Sequence, residues 1–357
     1  MNSDDISTAL QDQVLRAIAE NAPLRISGGG SKQFYGEAVA GTPLSTLGHT
    51  GIIHYDPTEL VVTARAGTPL SELEHLLASE HQILGCESPH FGSATVGGMV
   101  AAGLSGPRRP YAGAVRDFVL GCSVLNGKGE ILSFGGQVMK NVAGYDVSRL
   151  MAGSMGCLGI ILDVSLKLIP QPETEISLCF EKDAAEGIKF TNTILRQGIP
   201  VSASCQFDGK LYLRFSGFDE TLTAAQQQLG GEKISNAFWP ELRDQKLAFF
   251  SAQSDKNLWR LSLAPNTPEL QIVGESLYEW GGALRWLRTN EDTDKIRQLT
   301  QAAGGSATLF KSAENKHGVN TPVFHPLAAG LLNWHEQLKL AMDPNRIFNS
   351  GRLYNTV

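Results

Sequence analysis

At 357 residues the chain is too long for one small core, and at roughly 150 residues per domain it implies two domains or three. Its composition, 42% hydrophobic and 18% charged with 38 glycines, is that of a globular protein rich in tight turns or close ligand approaches. A net charge of −6 without any run of about five or six Lys/Arg excludes the electrostatic footprint of a nucleic-acid or anionic-membrane binder, so a bound anion must be held by local geometry.

The polar start MNSDDIS lacks a basic and apolar leader, and no apolar run approaches the ~18 residues of a membrane span. These features predict a cytosolic protein, with docking to a membrane-bound partner left open. Cys86, Cys122, Cys157, Cys179 and Cys205 never form CxxC, which argues against a disulfide framework, a structural zinc site or an iron–sulfur cluster of the chain's own. None of the eight histidines belongs to HExxH; His335-Glu336 is followed by Gln337, Leu338 and Lys339.

In chain order, Leu10, Val14, Leu15 and Ile18 recur at helical spacing, and Asn21 and Pro23 stop that helix before a short strand, Leu24 to Ile26. The glycine run 28–30 follows the strand. Residues 51–56 and 59–67 read as two β segments across an Asp56-Pro57 turn. Thr68 reads as the N-cap of a helix with Pro69 first and Leu70, Leu73, Leu76 and Leu77 on one face. From Gly85 to Gly121 small residues dominate, a texture that seldom builds a core. A hairpin over 117–136 turns at Asn126–Gly129. In residues 159–170, Ile160, Leu162, Val164, Leu166 and Leu168 alternate with Asp163, Ser165 and Lys167, the pattern of an antiparallel strand with one solvated face.

Pro170 and Pro172 mark a composition shift and a predicted boundary. Beyond it come a strand at 175–182, a helix at 184–196, a hairpin turning at Asp208-Gly209 and a helix at 221–229. The strand, helix and strand at 282–311 resemble that set in order and length, suggesting a weak duplication of a split β-α-β unit without a residue-level repeat. Trp239, Trp259, Trp280 and Trp286 read as core or as a surface for another subunit. Asp343-Pro344 stops a last helix ahead of a glycine-containing tail.

Successive backbone N–H groups turned to one point can nest an anion, and glycine permits that geometry. Gly28, Gly29, Gly30 and Ser31 fit, although Gln33 stands where GxGxxG needs glycine and Lys32 has no GxxxxG before it. Taken alone, such a triplet is usually a plain loop. It is joined by three further small-residue stretches: 93–106, 140–160 and 343–352.

In these stretches the sequence resembles the FAD-linked oxidases of the vanillyl-alcohol oxidase and p-cresol methylhydroxylase type, well over about residues 20–172 and the final ~25, poorly between. The resemblance implies that Ser27, Gly28, Gly29, Gly30 and Ser31 receive the FAD diphosphate. It implies that Pro89, Ser93, Thr95, Val96, Gly97, Gly98 and Gly106 run along the flavin, and that Gly156, Gly159, Ile160 and Ile161 meet its adenine or ribitol side. Small residues allow backbone N–H groups to approach a large planar cofactor. His90 is the one nearby residue suited to covalent attachment; non-covalent FAD is expected.

The implied fold class is α+β. It comprises a two-lobed FAD-binding domain over 1–172 (a small α/β lobe and a mainly antiparallel lobe), an α+β cap over 173–330, and a segment 331–357 returning to the first. Within the family, residues 111–121, 136–172 and 338–354 look most like the glycolate oxidase subunit branch. That likeness implies a complex with a larger related flavoprotein subunit and an iron–sulfur subunit, oxidising glycolate to glyoxylate, with this flavin relaying electrons. The His-rich HxHxGDGN-type substrate site of related dehydrogenases has no match: His317 and His325 stand apart, and Gly318 precedes Val319. No catalytic residue or metal ligand is therefore assigned. A self-sufficient FAD-dependent 2-hydroxy acid dehydrogenase and a flavin-free assembly subunit are the alternatives.

Overall fold

The computed structural model describes residues 4–137, 145–251, 255–313 and 321–357. The mixed α+β chain divides into two compact units: Met1–Ser105 with Gly113–Gln171 and Pro326–Val357, and Gly106–Ala112 with Pro172–His325.

In the first unit, the helix Ser7–Glu20 buries Leu10, Val14 and Ala17 and ends at Asn21, whose left-handed φ of 48° turns the following Ala22 N–H back onto the Ala17 carbonyl at 2.9 Å. β1 (Leu24–Ser27) pairs in parallel with β2 (Thr42–Ser45), and the C-terminal tail joins β1 through Leu24 N–H to Ile347 O at 2.6 Å. Leu10, Val14, Leu24, Leu44, Ile160 and Phe348 share one core, each large side chain contributing about 1.5–3 kcal/mol by leaving water.

β3 (Ile52–Asp56), β4 (Val61–Arg65), β6 (Val119–Leu125), β7 (Ile131–Gly135) and β8 (Ile160–Lys167) form an antiparallel sheet in the order β3-β4-β8-β6-β7, while β5 (Gln82–Ile83) pairs with β9 (Ile169–Pro170). The solvated face expected for β8 is corrected by its central place. Ser165 is buried and shares a 2.9 Å hydrogen bond with Thr63, and Asp163 accepts from Ser123 at 3.1 Å. Two of its three polar side chains thus bond to neighbouring strands, and Asp163 and Lys167 stay half-buried. The helix after residue 68 spans Leu70–Ser79 with Pro69 at the cap position; the Thr68 hydroxyl instead accepts from Gly51 N–H at 3.0 Å.

The second unit is an eight-stranded antiparallel sheet built from β10 (Thr174–Glu181), β11 (Val201–Phe207), β12 (Lys210–Gly217), β13 (Glu232–Ile234), β14 (Asn257–Ser262), β15 (Glu275–Glu279), β16 (Leu284–Thr289) and β17 (Ser306–Lys311). Its order is β13-β10-β12-β11-β15-β16-β14-β17. Numbered within each half, both halves read 4-1-3-2 from their outer edge, joined through β11 and β15, so the suggested duplication is present as topology. One helix breaks the symmetry. The crossover β10 to β11 carries the helix Ala184–Arg196, whereas residues 263–274 between β14 and β15 carry none. Trp239, Trp259, Trp280 and Trp286 are all buried.

The segment Gly106–Ala112 is fastened to this sheet by a polar cluster. Arg108 donates to Glu175 at 2.5 Å, and Ser216 bridges Glu175 and Ser202 at 2.6 Å each. Burial alone would raise the Glu175 carboxyl, but the Arg214 and Arg108 guanidiniums and the Ser216 hydroxyl outweigh it and hold its pKa below the usual range. The stability this carboxylate contributes is complete above the unfolded value of about 4.3 and is lost as pH falls through its depressed folded value. Glu175→Gln is therefore expected to flatten the acid limb of the stability–pH curve, followed by tryptophan fluorescence; an unchanged limb would show that the cluster contributes nothing there.

Candidate functional site

The first unit holds a cavity of about 290 Å³ at the C-terminal end of β1. Three chain segments far apart in sequence converge on it.

The loop after β1 forms one wall. Gly30 takes φ +72°, a conformation that favours glycine, and the Gly30 carbonyl accepts from Gln33 N–H at 3.1 Å to close the turn. The N–H groups of Gly28, Gly29, Gly30 and Ser31 find no acceptor among the described residues. Orphan donors at a cavity mouth require either water or an anion. Lys32 and Arg25 also line the cavity; the Lys32 ammonium lies 3.4 Å from Ser31 Oγ and 5.6 Å from the Phe91 ring centre.

The second wall is the helix Val96–Ala102. Thr95 caps it, its hydroxyl accepting from Gly98 N–H at 3.2 Å. The loop lies directly on this wall. A Cβ on Gly28 would stand 2.6 Å from Thr95 Oγ1, one on Gly29 1.5 Å from the Ser93 carbonyl oxygen, and one on Gly97 2.5 Å from Ala66 Cβ. Ser93 Oγ donates to the Gly29 carbonyl at 2.6 Å and pins the loop there.

The third wall joins residues 155–161 to the C-terminal tail. Asn349 accepts from Ile26 N–H and donates to Met155 O, both at 2.8 Å, and a Cβ on Gly156 would meet Asn349 Nδ2 at 2.7 Å. Arg352 donates to the carbonyls of Glu37, Gln33 and Tyr35 at 2.7–2.8 Å, tying the tail to the segment after the glycine loop. The tail is itself held by Lys339, whose buried ammonium donates to Cys157 O at 2.7 Å, Phe348 O at 2.6 Å and Asp343 at 2.8 Å.

Of the residues singled out in the sequence, Ser27 through Ser31, Thr95, Gly97, Gly98, Gly156, Gly159 and Ile161 line this cavity. Ser93 stands behind Gly29, while Val96 and Ile160 are fully buried and Pro89 is buried outside the lining. Gly106 lies in the second unit, where its carbonyl accepts from Trp280 at 3.0 Å. Residues 140–144 of the third stretch, and His317, Gly318 and Val319, lie outside the described residues. His325 accepts from Ala307 N–H at 3.3 Å, and no group of metal-ligating side chains occurs among the described residues. Sequence reasoning did not assign Arg25, Lys32, Asn349 or Arg352. The last two lie in a stretch already marked by its small residues, but their long-range partners carry no local signal.

Among the described residues, no His, Cys or Tyr lines the cavity. His90 Nε2 is engaged with Glu74 at 3.0 Å, and burial pushes the Cys86 and Cys157 thiols up to about 12 and about 11. No helix among the described residues is long and apolar enough to cross a membrane.

Comparison with known proteins agrees with this geometry. The FAD binding domain family matches residues 7–135. The glycolate oxidase subunit GlcE of Escherichia coli (strain K12) is 47% identical over 351 residues, 98% of each chain. The glycolate oxidase subunit GlcD of Bacillus subtilis (strain 168) is 33% identical over 127 residues, 36% of this chain and 27% of its own. An alkyldihydroxyacetonephosphate synthase structure matches with a TM-score of 0.66 over 95% of this chain and 74% of its own, at 16% identity, a likeness of fold alone. Near-complete mutual coverage at such identity establishes that the chain belongs to the glycolate oxidase subunit GlcE family and carries the FAD-binding domain of the FAD-linked oxidoreductases.

Proposed function

We propose that the cavity holds FAD non-covalently and that the chain works as the GlcE-type subunit of a complex oxidising glycolate to glyoxylate. The observation carrying this reading is the row of four orphan N–H groups from Gly28 to Ser31 beside Lys32, a donor set matched to a diphosphate. Gly97, Gly98, Gly156 and Gly159 present bare backbone along the rest of the cavity, where a planar ring system needs close approach. Asn349 and Arg352 hold the walls together. The chemistry supplied by the flavin, when bound, is two-electron uptake with release one electron at a time.

The five cysteines are dispersed and buried, so an iron–sulfur relay in this complex belongs to another chain. The partners proposed are a larger GlcD-like flavoprotein subunit and an iron–sulfur subunit. The test is direct. Purified chain, incubated with FAD and then freed of excess by gel filtration, should retain flavin absorbance at about 450 nm and release all of it to the supernatant on acid precipitation. A colourless protein without FAD binding overturns the reading, and a yellow pellet overturns its non-covalent part. Tagged chain should also co-purify with iron, and the isolated chain should reduce dyes with glycolate far more slowly than the complex does.

A further inference from the structure

The second unit contains a cavity of about 420 Å³, separate from the site above, in the place where the duplication is incomplete. One side is the outer flank of the helix Ala184–Arg196. The other is Asn266–Glu269, part of the helix-free crossover, and the floor is the cross-strand pair Tyr278 and Arg285. A second crossover helix, had the duplication been complete, would cover this floor.

The charge inventory is lopsided. Arg285, Lys189 and Arg196 all line the cavity, and none of the three forms an ion pair among the described residues. Arg285 is only 4% exposed. Its guanidinium donates to the carbonyls of Gly282 at 3.1 Å, Pro268 at 2.9 Å and Thr267, which uses three of its five N–H groups. Burial penalises that charge and lowers the Arg285 pKa from its ordinary value. The one carboxylate in the lining, Glu269, accepts from Tyr278 at 3.1 Å. Ala184, Ala185, Ile188 and Pro268 supply apolar surface. A volume in the few-hundred Å³ range with convergent cations and an apolar wall is the form of a small-molecule site.

We infer that this cavity binds a small organic anion, its carboxylate or phosphate facing Arg285 between Lys189 and Arg196 and its carbon skeleton on Ala184, Ile188 and Pro268. The remaining N–H groups of a planar guanidinium suit two oxygens of one anion, and Lys189 and Arg196, both exposed, guard the entrance.

Titration calorimetry on the full flavin-loaded chain, with malonate and inorganic phosphate as probes and chloride at equal ionic strength as control, tests it. Saturable binding of either probe beyond chloride is expected, malonate leading if the head group is a carboxylate and phosphate if it is not. Lys189→Ala/Arg196→Ala should weaken binding about tenfold per charge removed, and Glu269→Gln, which removes the competing acid, should tighten it. Flavin absorbance should stay constant in all variants, which separates this result from the fate of the first cavity. Absence of saturable binding, or equal affinity in wild type and the double variant, overturns the assignment.

Discussion

Gly29→Ala is expected to abolish flavin retention. The added Cβ would sit 1.5 Å from the Ser93 carbonyl oxygen and 2.7 Å from its carbon, both backbone atoms that cannot swing aside. The loop must lift from its wall, breaking the 2.6 Å bond from Ser93 Oγ to the Gly29 carbonyl and turning the adjacent N–H groups off their common point. Each charge-assisted N–H contact to a diphosphate is worth about 1.5–3 kcal/mol, so losing two weakens FAD binding by about a hundredfold or more. Fluorescence titration with FAD checks this against Gly330→Ala, where a Cβ meets nothing within 4 Å and affinity should not move. Wild-type affinity in Gly29→Ala would mean that the diphosphate sits elsewhere, and the proposed cofactor pose would fall with it.

The parts of this site legible in the sequence are those that work through backbone. Gly28 to Ser31, Gly97, Gly98 and Gly156 advertise themselves because only small residues permit such close approach, and that restriction is visible residue by residue. Helix boundaries were readable where local chemistry decides them, as at Asn21, and misread at Thr68, whose hydroxyl is claimed by Gly51 across 17 residues. β8 shows the same limit on a larger scale. Alternation fixed its strand character, but whether its polar face meets water depended on Thr63 and Ser123 of the strands beside it. In the second unit, β10, the helix Ala184–Arg196, the β11–β12 hairpin and the set from β16 to β17 were readable, but β13, β14 and β15 were not, and the joining of the halves through β11 and β15 is a pairing of distant segments that no local pattern encodes. Gly106 belongs with a run of small residues in the chain but with Trp280 in space.

Lys339 is the residue most thoroughly hidden from sequence reasoning. On a helix whose neighbours are mostly exposed it reads as a solvated charge, yet it and Asp343 are both 0% exposed. All three ammonium donors are used, on Asp343, Cys157 O and Phe348 O, while the Asp343 carboxylate also accepts from Ile347 N–H at 3.1 Å and Phe348 N–H at 2.8 Å. Lys339→Met keeps the volume but leaves a buried carboxylate without its counter-charge and two carbonyls without a donor. The expected cost is about 3–5 kcal/mol, a large share of a typical folding free energy, read as a lower urea midpoint. Because the same ammonium joins the Cys157 loop to the tail that carries Asn349, the damage should reach the cavity. Flavin affinity should therefore fall even at temperatures where the variant is folded, and Lys339→Arg, which keeps the charge but cannot place its planar fork among three partners, should restore only part of it. A Lys339→Met protein with an unchanged urea midpoint would show that the enclosed ion pair holds nothing together, and that the tail reaches the cavity by its apolar contacts through Ile347 and Phe348 alone.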